Sequence, residues 1–319
     1  MKKILVLLFV ILLVLSTEGK ENMGKKAIVI AAFGTSYPTA LQSILNIKTA
    51  TEKAYPNAKV KIAFTSNIIR KIWQKRAVDK NYRKKNKDIP NNIYSVKTPL
   101  ATIANLQNDG YRTIVVQSSH VFAGEEYLDL QSYVSSLNMI RTGKKKFMPF
   151  DALVLGRPAL GEPGVIHDYH EDIERGVLAV AADVEKAKKT ESTLVYMGHG
   201  NEYLSTGIYA EFQKALREKY KYSAIFVGTV EGYPAISDVI DGLKHSGAKK
   251  VLLKPFMVVA GDHANNDMAG DEEDSWKNLI EDAGIKVTTE VVGLGMNPKW
   301  VSIYVDHIGD IITDSKIEF

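Results

Sequence analysis

The sequence predicts an α/β protein of two duplicated lobes, each a parallel β-sheet flanked by helices, with a cleft between them. Two observations carry this. From residue 24 onward, short solid apolar runs alternate with longer amphipathic stretches, the pattern of strands buried on both faces under helices. Several of these units also recur in the same order in the two halves of the chain. At 319 residues the chain is long for one domain and sufficient for two.

Runs rich in Val, Ile and Leu place strands at 27–32, 59–64, 113–117, 152–155, 193–197, 224–229, 250–255 and 286–292. Between them the apolar period lengthens, which places helices at 37–54, 98–108, 165–188, 209–218 and 236–245. The lobes divide as 24–155 and 156–319. GYRTIVVQSSHVFAGEE, from Gly110 to Glu126, lies over GAKKVLLKPFMVVAGDH, from Gly247 to His263, without a gap. AIVIAAFGTS (27–36) matches TLVYMGHGN (193–201), and KIAFTSN (61–67) can be laid on IFVGTVEG (225–232), with Ser66 over Glu231. Any one match is weak, because βα units resemble one another; three in the same order favour duplication.

The opening stretch, MKKILVLLFVILLVLSTEG, stands apart from both lobes. Lys2 and Lys3 precede an apolar run from Ile4 to Leu15, shorter than the roughly 20 residues of a spanning helix. It reads as a secretory signal peptide over 1–19, with the small residues Thr17 and Gly19 near its cleavage point. No cysteine follows, so a lipoprotein anchor is not expected. The mature protein is therefore expected to be exported and periplasmic, with no stable membrane insertion.

Composition narrows the chemistry. A net charge of +4 is too mild to argue for a nucleic-acid partner. With no cysteine, disulfides, thiolate catalysis and cysteine-based metal sites are excluded, so a metal must rest on His, Asp and Glu. No P-loop motif appears, and no nucleotide is expected. A homo-oligomer is left open.

Parallel α/β sheets bind ligands at the carboxyl ends of their strands. Three candidates stand there in the second half: His199 in YMGHGNEY, Glu231 in GTVEGYP and His263 in VAGDHANND, each within two residues of a glycine. A lone histidine after a strand is usually a hydrogen-bonded structural residue. Two imidazoles and a carboxylate converging from three strand ends would suit a divalent first-row metal with open positions. The aligned first-half positions, Gly34, Ser66 and Glu126, offer one ligand instead of three, so a metal site belongs to the second lobe. The acids Asp271 to Asp274 read as a solvated helix start; Asp262 and Asp267 are left open.

The set AAFGTSYPTA, AFTSNIIRK, VQSSHVFAGEEY, VYMGHGN, TVEGYP, VAGDHANNDMAGDEEDSWK and GLGMNP resembles the CbiK family of anaerobic sirohydrochlorin cobaltochelatases. The resemblance runs from about Lys25 to the chain end, and VAGDHANNDMA with DSWK is its specific part. It implies a class II chelatase fold and ATP-independent insertion of Co(II) into sirohydrochlorin, a tetrapyrrole. It makes His199, Glu231 and His263 the metal ligands, with His199 the base for the pyrrole protons and His263 catalytic beside it. Such ligands also accept Fe(II) or Ni(II). The reading from a different class is an exported protein that binds or carries a tetrapyrrole, haem or a metal without catalysis.

Lesser candidates face the proposed cleft from the first lobe. His120 and Glu126 sit at a strand end, and Ser66 and Arg70 follow another; all four are candidate substrate contacts. Residues 70–88 hold nine Lys or Arg, within a stretch where Ser66 and Glu126 lie 60 residues apart against 32 for Glu231 and His263. This stretch is expected to be a basic, mobile surface insertion. His167, His170, His245 and His307 fall on expected helices and receive no role.

Overall fold

A computed structural model describes residues 24–201 and 207–319. The expected signal peptide lies outside the described residues. Among those described, no helix is long and apolar enough to cross a membrane.

Two four-stranded parallel sheets form the framework. In the first, β1 (Lys25–Ala32), β2 (Lys59–Phe64), β3 (Tyr111–Ser118) and β4 (Ala152–Gly156) lie in the order β2-β1-β3-β4. In the second, β5 (Thr193–Gly200), β6 (Ile225–Glu231), β7 (Lys250–Pro255) and β8 (Lys286–Thr289) lie in the order β6-β5-β7-β8. The strand orders are the same, with β1 matching β5, β2 matching β6 and β3 matching β7, the pairs aligned in the sequence. Gly110 and Gly247, which open the longest match, both take positive φ at the turn into their strand, +85° and +69°. Central strands are buried almost throughout, β1 from Ala27 onward and β5 from Thr193 to Gly198, so apolar residues run without alternation.

Helices cover both faces. In the first half they are α1 (Leu41–Ala54), α2 (Asn67–Val78), α3 (Lys80–Lys85), α4 (Asn91–Tyr94), α5 (Pro99–Asn108) and α6 (Glu125–Asn138). In the second half they are α7 (Tyr169–Ala179), α8 (Ala181–Lys189), α9 (Gly207–Tyr220), α10 (Ile236–His245), α11 (Trp276–Asp282) and α12 (Pro298–Asp314). The helix expected at 37–54 starts as a 3₁₀ turn, Pro38–Ala40, before α1. The one expected at 165–188 is two helices, broken where the fully buried Val180 takes φ −94°, ψ 14°. The last strand stops at Thr289 instead of 292.

The basic insertion is a correction. It lies at the surface but is anchored: it folds as the helices α2, α3 and α4, with Trp73, Ile93 and Tyr94 in a core shared with Ile44, Ile62 and Phe64. Trp73 is fully buried and its indole donates to the Thr35 carbonyl at 2.8 Å. Charge count hid these anchors, because the basic side chains lie outward while a few aromatic residues on the inner face fix the segment.

The chain end joins the lobes. Asn297 caps α12 by accepting from the Lys299 amide, and Pro298 opens it. This helix packs on α1, β3 and β4 of the first lobe and on α7 of the second. On the same side, Asn46 donates to the Gly295 carbonyl at 3.0 Å, and a Cβ on Gly295 would stand 2.7 Å from Ser43.

Candidate metal and tetrapyrrole site

The C-terminal ends of β1, β2, β3, β5 and β7 converge on one cavity of about 380 Å³. The volume falls in the range of small-molecule sites. Its polar groups come from both lobes: Ser66, His120 and Glu126 from the first, His199, Asp262 and His263 from the second. Its walls are largely apolar, among them Phe33, Ile69, Phe122, Phe256 and Val258. A flat, hydrophobic ring with a few directed contacts suits such a lining.

His199 projects from the end of β5, between two glycines whose side-chain space is taken. A Cβ on Gly198 would lie 2.5 Å from the Tyr209 ring. Gly200 takes φ +78°, and a Cβ there would sit 1.8 Å from the Glu231 carbonyl oxygen, its partner across the β5–β6 ladder. The Gly200 amide also reaches the Tyr209 hydroxyl at 3.4 Å. The strand thus presents His199 at a fixed point, with the Phe33 ring 6.3 Å away, centroid to centroid.

His263 begins a π-helical turn, Ala264–Met268, a rare geometry often found at functional sites. Asn265 holds the turn by donating to the carbonyls of Ala260 at 3.1 Å and Gly261 at 2.6 Å. The two imidazole rings stand edge to face, 4.9 Å between centroids.

Hydrogen bonds decide which ring nitrogens are free. His199 Nδ1 lies 2.9 Å from the Gly200 carbonyl, and His263 Nδ1 lies 2.5 Å from Asp267 Oδ2. A carbonyl only accepts, as does an ionised carboxylate, so each Nδ1 must donate. In the neutral rings both Nε2 atoms then carry lone pairs, ready for a metal or a proton.

The other expected residues divide. Glu231 ends β6 beside Gly200 but is exposed and off the cavity lining. Among the described residues, no three His, Asp or Glu side chains stand together as a metal-holding group. Arg70 also lies outside the lining, donating to Asn67 Oδ1 at 3.0 Å. Ser66 lines the cavity and caps α2 by accepting from the Ile69 amide. His120 lines it too; its Nδ1 is 2.8 Å from Ser118 Oγ and its buried Nε2 has no partner among the described residues. Burial lowers the His120 pKa to about 4 against the opposing pull of Glu126, so the ring is neutral near pH 7. Asp271 to Asp274 are exposed ahead of α11, whose cap is Ser275.

Asp267 was left open from the sequence, and Tyr37 was not legible as a site residue. The His-x-x-x-Asp spacing of 263 and 267 was a usable signal, since residues four apart share a helical face. Tyr37 gave none, because its partner Asp262 is 225 residues away.

Two parallel-sheet lobes of one strand order, enclosing an apolar cavity with a pair of imidazoles at one end, define a metal chelatase of the two-lobed class. A family model described as cobalt chelatase (CbiK) matches residues 26–313, and the chain belongs to that family. It is 33% identical over 286 residues to a sirohydrochlorin cobaltochelatase of Salmonella typhimurium, covering 89% of this chain and 95% of that one. It is 27% identical to sirohydrochlorin cobaltochelatase CbiKC of Nitratidesulfovibrio vulgaris, covering 90% of each. Among solved structures, SirB from Bacillus subtilis with Fe3+ shares the fold at a TM-score of 0.56 and 12% identity, over 92% of this chain and 99% of that one.

Proposed function

We propose that the protein inserts Co(II) into sirohydrochlorin without a nucleotide, at the His199–His263 pair. The observation that carries this is the pairing of two imidazoles on the lining of an apolar cavity, each with its Nδ1 engaged in a hydrogen bond, which leaves Nε2 as the atom to meet a ligand. The activity of the Salmonella and Nitratidesulfovibrio relatives supports cobalt and sirohydrochlorin as the substrates. Ligands of this type accept Fe(II) and Ni(II) as well. Metal preference therefore rests on the relatives and not on the donor set.

The reaction breaks two pyrrole N–H bonds and forms metal–nitrogen bonds, releasing two protons. His199 and His263 hold the incoming ion through Nε2, and Glu231 adds a carboxylate by turning its exposed side chain inward from the adjoining strand end. As the ion passes to the macrocycle, the freed Nε2 of His199 takes the two pyrrole protons in turn and passes each to solvent. Imidazoles suit this handover, because a thiolate would hold the ion more tightly. The apolar walls pack on the ring, while Ser66, His120 and Glu126 contact its polar edge.

The leader makes export to the periplasm part of this reading; cell fractionation with N-terminal sequencing of the mature protein tests it, and full-length protein in the cytoplasm would overturn it. Activity is tested by mixing sirohydrochlorin and Co(II) anaerobically and following the absorbance change. Acceleration above the spontaneous rate is expected. Tight tetrapyrrole binding with no acceleration would leave a carrier.

A further inference from the structure

We infer that Tyr37 is a positioning residue: reaching from the first lobe to the second, it fixes the turn that aims His263 at the metal. The inference rests on the proposed role of His263 as a ligand.

The Tyr37 hydroxyl donates to Asp262 Oδ1 at 3.1 Å. Asn266 Nδ2 donates to the same carboxylate oxygen at 3.0 Å and stands 3.4 Å from the Tyr37 oxygen. Asp262 precedes the π-helical turn and Asn266 lies within it, and Asp267, the residue after Asn266, holds His263 Nδ1. One phenol from the other lobe is therefore two hydrogen bonds and one peptide from the carboxylate that sets the imidazole. The contact is local as well as polar, since a Cβ on Gly261 would stand only 3.2 Å from Thr35 Oγ1.

A partly exposed tyrosine can transmit position only if its own backbone is held, and here it is. The Tyr37 amide donates to Thr35 Oγ1 at 3.1 Å. Trp73 holds the Thr35 carbonyl, and Arg76 donates to the Ser36 carbonyl while its guanidinium stacks 4.7 Å over the Trp73 ring. Both braces come from α2. The same short loop carries Phe33, which abuts His199. One loop of the first lobe thus touches both imidazoles of the second, Phe33 by packing and Tyr37 through the turn. Its anchor is the inner face of the helical insertion, which otherwise has no evident use. Each exposed hydrogen bond contributes little to stability on its own. Their effect should appear in metal affinity, as outer-shell contacts of ligating histidines do.

The test is anaerobic titration of the mature protein with Co(II) alone, followed by visible absorption, together with the metal KM of the insertion reaction. Wild type is compared with Tyr37→Phe, Asp262→Ala, the double variant and His263→Ala, and thermal melting of each is recorded. The inference predicts that Tyr37→Phe weakens Co(II) binding by about three- to tenfold, at or below the low end of outer-shell effects because Tyr37 acts one step further from the ligand. Metal KM should rise in step, with melting and tetrapyrrole KM unchanged, and the double variant should lose no more than Asp262→Ala alone. Co(II) affinity unchanged in Tyr37→Phe but lost in His263→Ala would overturn the inference and leave the metal site standing. Affinity unchanged in His263→Ala would remove the metal site and the inference together.

Discussion

Gly200 shows how little freedom the β5 end allows. Its positive φ is accessible to other residues only with strain, and the Glu231 carbonyl fills the space of a side chain. Gly200→Ala should push the strand ends apart and displace His199, lowering insertion at least tenfold, a ΔΔG‡ of about 1.4 kcal/mol. Steady-state kinetics checks this; a variant with wild-type rate would show that the strand end is free to shift. His120 makes a second prediction at this scale. Its folded pKa of about 4 lies below the usual 6.5, so the unfolded chain binds the extra proton between these values. The contribution of His120 is fully present above pH 6.5 and is lost as pH falls toward 4. Denaturant unfolding across that window should show stability falling with acid. His120→Gln should flatten the slope, and an unchanged slope would place the titrating group elsewhere.

At the scale of elements, strands were far more legible than the insertion. β2 and β7 end where their apolar runs end, and α10 occupies its expected residues, because buried strand positions and the buried face of an amphipathic helix, here Val239 and Leu243, each write an apolar pattern into the chain. α2 to α4 were obscured by nine cationic residues, while their fold rests on Trp73 and a few partners. His199 and His263 were visible because each stands at or past a strand end within two residues of a glycine. What the sequence could not reveal was side-chain placement: Glu231 sits at the expected strand end yet is exposed and off the cavity lining. Trp73→Ala should cost about 3–5 kcal/mol, the usual range for deleting a buried tryptophan. It also strands the Thr35 carbonyl, so insertion activity should fall with the Tyr37 loop. Urea titration checks the first effect, and a loss under 1 kcal/mol would mean that the insertion is not anchored through this ring.

Over the whole molecule, a buried charge cluster ties the chain just past β4 to α7 and α12. Arg157, just past β4, pairs with Asp172 of α7 at 2.6 and 2.9 Å and with Asp310 of α12 at 2.8 Å. The fully buried His307 stands 3.0 Å from Asp172 and 3.1 Å from the Arg157 carbonyl. Burial pushes the Asp172 carboxyl up, but hydrogen bonds from His307 and Arg157 outweigh it and hold the pKa at about 2. Its contribution is present above the usual value of 3.8 and is lost as pH falls through about 2. Removing one partner leaves a buried guanidinium short of its counter-charge, so Asp172→Ala should destabilise by about 3–5 kcal/mol. Calorimetry checks this; a small change would mean that Asp310 alone satisfies Arg157.

The central claim is that paired imidazoles on one lobe move the metal into the ring. The most direct measurement is single-turnover Co(II) insertion into pre-bound sirohydrochlorin by wild type, His199→Ala and His263→Ala, followed optically under anaerobic conditions. The account predicts rapid insertion by wild type and a rate close to the spontaneous one in both variants, with tetrapyrrole affinity retained. Insertion at the wild-type rate by both variants would contradict it.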